Sequence, residues 1–455
     1  MDFSLLSQIV FLLVVAITGW ILFRRVVQIR ANILMGRNIE HEYDKGKSWK
    51  NVLLIAFGQK KMFKRMIPAL LHLCVYIGFI VINIEGIEIF LDGFTGKHRL
   101  IARLFDNLNL MGLYTLSFNI FEFLAVMVII ASLTFLLRRN VLKINRFEGR
   151  EMTSWPRLDA NLILIFEILL MFSILSMNAA DQILQERNYP GFPDTGKLIF
   201  SELFAAPFYR SLDSSTLYFI ERFAWWFHIV GIFAFAVYVS YSKQLHTLLA
   251  FPNTFYSRQM AQGKMHNMPE VSREVQSMLG LQVETTGEST PAEIPRLGAK
   301  DVPDLTWLNI LNAYTCTECG RCTAVCPANI TGKKLSPRKI MMDVRDRAEE
   351  MGRINSSKKE KPEDGKSLLD DYISREELNA CTSCNACVEA CPVNINPLDI
   401  ILQMRRYVVM EESGSPAQWN NMFSNIETSF SPWKFSPGDR FNWAEELKNE
   451  SQKKS

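Results

Sequence analysis

Apolar residues are gathered rather than spread: residues 1 to 250 hold five long apolar runs, and residues 251 to 455 are polar, charged and rich in Ser, Lys and Glu. A bilayer core takes about 20 apolar residues per helix, and segments near 5–23, 67–91, 112–137, 159–180 and 218–243 meet that length. The pattern predicts an all-α chain whose first part, 1–250, is a five-helix transmembrane bundle. The opening run, Leu5 to Leu22, has no basic region before it and no small-residue cleavage site after it, so it reads as a retained membrane helix. Residues 251–304 lack a clear period, and Glu284 to Arg296, made largely of Thr, Gly, Ser, Pro and Glu, reads as a linker. Between 305 and 411, helical charged segments at 337–351 and 397–410, each opened by a proline, alternate with cysteine runs. The end, 412–455, with Trp433 and Trp443, has too little apolar content for a domain and reads as a docking tail.

Charge adds an orientation. The first connection carries Arg24, Arg25, Arg30, Arg37, Lys45, Lys47, Lys50, Lys60, Lys61, Lys64 and Arg65, and the third carries Arg138, Arg139, Lys143, Arg146, Arg150 and Arg157. The second and fourth are far poorer in cations. The positive-inside rule therefore predicts an N-terminus outside and everything after Lys243 in the cytoplasm, as for a multi-pass protein of the bacterial inner membrane. Overall, 50 Lys and Arg balance 47 Asp and Glu, which argues against a nucleic-acid partner.

Cysteine usage supplies the chemistry. Eight of nine cysteines form the run C-x2-C-x2-C-x3-C-P twice, as Cys316, Cys319, Cys322, Cys326, Pro327 and as Cys381, Cys384, Cys387, Cys391, Pro392. In this pattern three thiolates wrap one 4Fe-4S cluster and the fourth ligates the other. One cluster is then expected on Cys316, Cys319, Cys322 and Cys391, and the second on Cys381, Cys384, Cys387 and Cys326. Structural zinc sites more often separate two cysteine pairs by a longer loop, and disulfides suit neither this packing nor a cytoplasmic domain. Cys74, alone in a membrane segment, reads as an inert buried thiol.

Histidines are scarce, and three stand where they matter: His72 near the start of the second span, His228 within the fifth and His246 at its end. On one continuous helix the step from His228 to His246 is five turns, about 27 Å, with both rings on one face. An imidazole at membrane depth is costly without a partner, and helix bundles cradle haem between inward histidines. His72 and His246 fall at similar depths and form the expected axial pair of a b-type haem, the alternative being a helix-to-helix hydrogen bond from His72 and an interfacial His246. Acidic residues also interrupt the spans, at Glu85, Glu88, Glu122 and Glu167. Glu85 and Glu122 are candidates for proton or quinone work, with structural hydrogen bonding as the alternative.

The segments CTECGRCTAVCPANITGKKLSPRKI and CTSCNACVEACPVNINPLDIILQMRR resemble the helical dicluster ferredoxin module of heterodisulfide reductase and glycolate/glycerol-3-phosphate oxidase iron-sulfur subunits. SPWKFSPGDRFNWAEEL resembles the segment that leads into their CCG domains; no CCG motif occurs here, which implies a separate CCG subunit. Residues from about 50 to 256 are similar to the nitrate reductase gamma subunit and the cytochrome b subunit of heterodisulfide reductase, through ALLHLCVYIGF, DANLILIFEILL and FHIVGIFAFAVYVSYSKQLHTLLAFP. The resemblance puts His72, His228 and His246 at haem-ligand positions. The fourth family ligand falls at Ile82, so a second haem is either absent or held with a substitute such as His98. It further implies a quinone-linked oxidoreductase subunit, passing electrons between membrane menaquinone or another quinone and a cytoplasmic partner, a CCG protein or an electron-transferring flavoprotein. A membrane redox sensor without turnover and an anchor for a periplasmic enzyme are the other readings.

Overall fold

A computed structural model describes residues 5–38, 43–281, 296–356 and 364–453. Among the described residues the chain is helical and has no extended strand. The five long apolar helices are α1 Leu5–Ile33, α2 Met66–Thr95, α3 Met111–Asn140, α4 Trp155–Glu186 and α5 Ser214–Val239, each long and apolar enough to cross a membrane. All but α5 outrun the spans expected from hydropathy. Where apolar sequence stops the backbone stays helical, because the extra turns pack on other protein: Arg25 and Asn32 of α1, beyond the apolar run, are buried.

The bundle has its polar groups inside. Glu85, Glu88, Asp92, Arg99, Glu122, Asn178 and Asp181 are buried, while Ile17, Ile80, Ile84, Ile87, Ile130 and Phe172 are exposed on its surface. An exposed apolar belt around a polar interior suits hydrocarbon as solvent and not water. The α4 and α5 helices pack together along their length, and α3 bridges α2 and α4. At the end of the bundle holding the α1 N-terminus, Phe11 of α1 wedges among Phe90, Phe94, Trp225 and Phe233.

The continuous fifth helix expected to reach residue 243 is not what forms. The α5 helix ends at Val239, a turn follows, and a new helix, α6 His246–Phe255, begins. Asp159 drives the break by accepting hydrogen bonds from the Tyr238 hydroxyl at 2.5 Å and the Lys243 amide at 3.2 Å. Ser242 caps the next turn through the Gln244 amide. His228 and His246 therefore stand on different helices, and the five-turn spacing does not apply.

The C-terminal part is built on α7 Trp307–Thr315, α8 Pro337–Ser356 and α9 Pro397–Met410, with the cysteine loops between them. Its core joins Leu305, Ala313, Leu335, Ile340, Val344, Leu378, Ile400 and Met404. The 251–304 stretch is structured at both ends. Residues up to Phe255 continue α6, and Ala299 is buried, its amide bonded to the Gln403 carbonyl at 3.0 Å. Of the expected linker Glu284–Arg296, only Arg296 lies within the described residues. The tail forms helices Ala417–Ser429 and Asn442–Lys453 with Phe430, Trp433 and Trp443 exposed.

The two parts are bolted together by charged pairs. Arg25 of α1 reaches Glu349 of α8 at 2.7 Å, Arg338 reaches Glu151 at 2.7 Å, and Lys64 pairs with Glu389. Asn253 donates to the Val393 carbonyl at 2.7 Å and accepts from Asn312 at 3.1 Å.

Candidate functional site

The two cysteine runs fold as near copies. In each loop the second and fourth residues after the first cysteine take the left-handed conformation: Glu318 and Gly320 in one, Ser383 and Asn385 in the other. That pair of reversals curls the loop so that its thiols face one point. Gly320 has a second reason to be glycine, since a Cβ there would lie 2.6 Å from the Arg338 guanidinium and 3.0 Å from the Arg146 carbonyl. A short helix follows each loop, Arg321–Ala324 and Ala386–Ala390. The last cysteine of each run then leaves in extended backbone, carrying its thiol away from the other three.

Two cavities result. One, with about 400 Å³ of empty space, is lined by Cys316, Cys319, Cys322 and Cys391. The other, with about 320 Å³, is lined by Cys326, Cys381, Cys384 and Cys387. Each cavity brings together three cysteines of one run and the last of the other. Burial pushes the Cys316 and Cys387 thiols up to about 12 and Cys391 up to about 11. Thiols so placed do not ionise by themselves, and a bound metal centre is what converts them to thiolates. Backbone amides already point at sulfur, from Ser383 to Cys381 at 3.4 Å and from Ile395 to Cys391 at 3.3 Å.

Surroundings distinguish the two cavities. The first abuts the apolar bundle and is ringed by cations. Arg321 lines it and donates to the Lys61 carbonyl at 3.4 Å. Arg146 lies against the same loop, its Nε and Nη1 buried with no hydrogen-bond partner among the described residues. Burial pushes the Arg146 guanidinium down to about 10, and neighbouring cations push the same way while the nearby Cys319 sulfur opposes them. Orphaned cation nitrogens beside four thiols fit an anionic metal-sulfur centre. The second cavity is nearer the surface, with Cys384 exposed.

His72 and His246 come together. Their ring centroids are 6.5 Å apart with 43° between planes. Imidazole nitrogens approach a metal to about 2 Å, so two rings on one metal have centres roughly 6 Å apart. Each Nδ1 is taken: His72 Nδ1 meets Gln59 Oε1 at 3.1 Å and His246 Nδ1 meets the Lys243 carbonyl at 3.0 Å. A carbonyl oxygen can only accept, so Nδ1 carries the proton and Nε2 keeps its lone pair, the arrangement found behind ligating histidines. One of these anchors touches the first cysteine loop and the other lies near it in sequence. Lys243 Nζ pairs with Glu318, which lies between Cys316 and Cys319, and Gln59 is two residues from Lys61, whose carbonyl Arg321 holds. Sequence gives no warning of these anchors, because one is a backbone carbonyl and the other a glutamine in a polar connection.

His228 is buried in α5, with Nδ1 at 3.1 Å from the Leu170 carbonyl and 3.0 Å from Ser173 Oγ. It lines a cavity together with Ile82, and among the described residues no second imidazole lines that space. His98 is not available as a substitute: Nε2 meets Asp181 at 3.3 Å and Nδ1 accepts from Arg222 at 3.1 Å. The carboxylates differ in role. Glu122 accepts from the Phe200 and Ser201 amides at 3.1 Å and from the Ser201 hydroxyl, anchoring the loop after α4. Glu88 takes the Tyr114 hydroxyl at 2.6 Å and the Ala102 amide at 3.1 Å. Glu85 accepts from Asn178 at 3.2 Å through one oxygen, and its other oxygen is buried without a partner among the described residues. Cys74 is half-buried rather than enclosed.

Comparison with known proteins agrees with the cysteine geometry. Residues 315–395 match the family model of a 4Fe-4S dicluster domain. Over 98% of its length the chain is 26% identical to a probable iron-sulfur-binding oxidoreductase, FadF, of Bacillus subtilis, covering 61% of it. It is 25% identical over 88% of its length to an EtfAB:quinone oxidoreductase of Syntrophomonas wolfei, covering 54%. A probable membrane-anchored ferredoxin of Chromohalobacter salexigens is 33% identical over 33% of this chain and 24% of its own. Shorter stretches match subunits C and D of CoB–CoM heterodisulfide reductases. No solved structure matches. The chain thus spans less than two thirds of the length of the first two relatives, and it is an all-α protein with five long apolar helices and a 4Fe-4S dicluster domain, related to iron-sulfur oxidoreductases.

Proposed function

We propose that this chain is the membrane electron-transfer subunit of a quinone-linked oxidoreductase, exchanging electrons between a soluble redox partner and membrane quinone, with menaquinone the expected species. Cys316, Cys319, Cys322 and Cys391 would hold one 4Fe-4S cluster, Cys326, Cys381, Cys384 and Cys387 the other, and His72 and His246 a b-type haem in a bundle of the nitrate reductase gamma type. Bound there, these groups supply one-electron redox chemistry. The observation that carries the reading is the contiguity of the first cysteine cavity with the histidine pair. The loop carrying Cys316 and Cys319 is bonded through Glu318 to Lys243, whose carbonyl holds His246.

The residues of the chain divide the work. The exposed Cys384 makes the second cavity the accessible end, where a CCG subunit or an electron-transferring flavoprotein would dock. The buried cations about the first cavity favour negative charge next to the bundle. Gln59 and the Lys243 carbonyl fix the tautomer of both imidazoles. A relative named EtfAB:quinone oxidoreductase supports the quinone and flavoprotein parts, and the Lys and Arg distribution supports a cytoplasmic dicluster domain. Direction of flow depends on potentials.

The test is reduction of the iron centres in anaerobic membranes. A menaquinol analogue should bleach the clusters and raise the reduced b-haem bands reversibly, and purified protein should carry about eight cluster irons, as two 4Fe-4S centres require. Centres that neither take electrons from the quinol nor, once reduced with dithionite, lose them to added menaquinone would end the reading.

A further inference from the structure

Between α2, α3, α4 and α5, lined by neither His72 nor His246, lies a cavity with about 630 Å³ of space unfilled by atoms, part of it open to the outside. Its walls are apolar, from Val75, Val128, Leu170, Ile232 and Phe235, and no Lys or Arg lines it. Three polar groups do: His228, Glu167 and Asn83. With Nδ1 donating to the Leu170 carbonyl, buried His228 presents Nε2 as an acceptor, and no hydrogen bond reaches that nitrogen among the described residues. Glu167 accepts from Ser132 at 3.2 Å through Oε2 alone. Asn83 gives one of its two amide N–H groups to the Phe79 carbonyl, leaving its oxygen and the second N–H.

The cavity therefore offers acceptors at separate points in an apolar slot without cations. Such a lining rejects an anionic headgroup and suits a neutral ring bearing hydroxyls. Phe79, one of the lining residues, is itself exposed on the apolar outer surface of α2, so a ligand would enter from the side. Gly86 widens the slot, since a Cβ there would meet only Asn83 Oδ1, at 3.9 Å.

We infer that this cavity is the quinol-binding site of the chain, with His228 Nε2 and Glu167 accepting from the two hydroxyls of a hydroquinone ring. The inference rests on the proposed quinone linkage and goes further by giving that ligand a place, one at which His228 serves the substrate and not a second haem iron.

The experiment uses the full chain, purified with its iron centres into nanodiscs, and titrates a heptyl-hydroxyquinoline N-oxide, whose fluorescence is quenched on binding. Wild type should bind. Gly86→Leu, whose Cβ has room and whose branched end would occupy the slot, and His228→Leu should each weaken binding about tenfold or more, the effect of one lost buried hydrogen bond or its equivalent. Cluster iron and b-haem absorbance should be unchanged in both. Wild-type affinity in both variants, with menaquinol still reducing the iron centres, would overturn the site and leave the quinone linkage standing. Failure of wild type to bind the probe, together with iron centres that neither accept electrons from menaquinol nor pass them to menaquinone, would remove the linkage itself. Two haems per wild-type chain, one of them lost in His228→Leu, would assign the cavity to haem and overturn the inference.

Discussion

Lys243 pairs through its ammonium with Glu318, between two of the clustered cysteines, while its own carbonyl oxygen accepts the Nδ1 proton of His246 at 3.0 Å. Both members of the pair are buried. One residue thus ties the dicluster loop to the histidine site, and Arg345 supports Glu318 from the other side at 2.8 Å. Although burial opposes ionisation, Arg345 and Lys243 hold Glu318 below the usual carboxylate range.

Lys243→Met should lower stability by about 2–3 kcal/mol, less than the ~3–5 kcal/mol of stranding a buried charge entirely, because Arg345 remains. The thermal unfolding midpoint of the anaerobically purified protein reads this. Adding Glu318→Gln should cost much less than it does alone, since the two residues form one unit. Strictly additive shifts would mean the pair is not coupled.

Crossed grouping of the thiols predicts crossed phenotypes. Cys391→Ala should alter the same electron paramagnetic resonance signal as Cys319→Ala, and Cys326→Ala the same signal as Cys384→Ala. If Cys391→Ala instead matched Cys384→Ala, each run would serve its own cluster.

The proposed haem should need both His72 and His246. His72→Ala and His246→Ala should each abolish low-spin b-haem absorbance, and Gln59→Leu, which frees the His72 Nδ1 proton, should shift the haem midpoint potential without removing the haem. An unchanged spectrum in either alanine variant would exclude this pair as the axial ligands.

Arg146 gives a prediction about the clusters themselves. A buried guanidinium with unpartnered nitrogens beside Cys319 favours the more negative, reduced state of a neighbouring centre. Arg146→Gln should lower the midpoint potential of the centre on Cys316, Cys319, Cys322 and Cys391 by something on the order of 60 mV, a tenfold effect for one electron. The other centre should move little. Equal shifts in both, or none, would show that Arg146 does not act locally.

Sequence was a sufficient guide wherever one local rule dominates. Five apolar runs of bilayer length specify helices, because hydrocarbon leaves an isolated segment no other way to satisfy its backbone. Two C-x2-C-x2-C-x3-C-P runs specify thiol sets, because spacing and left-handed turns are local. Hydropathy could not see that α5 stops at Val239, since the residues beyond it are still partly apolar and the break comes from Asp159, distant in sequence. His98 looked free for the same reason, its partners Asp181 and Arg222 lying far along the chain.

What the chain determined alone is therefore its periodic and short-range content: helix type, the membrane-length runs, the cysteine spacing and the missing histidine at Ile82. The tertiary structure decided which imidazoles meet, which ring nitrogen stays free, which carboxylates are already spent on backbone amides and where a cavity remains. These depend on groups tens to hundreds of residues apart meeting within about 3 Å, and hydrogen-bond geometry at that range is fixed by packing and not by spacing along the chain.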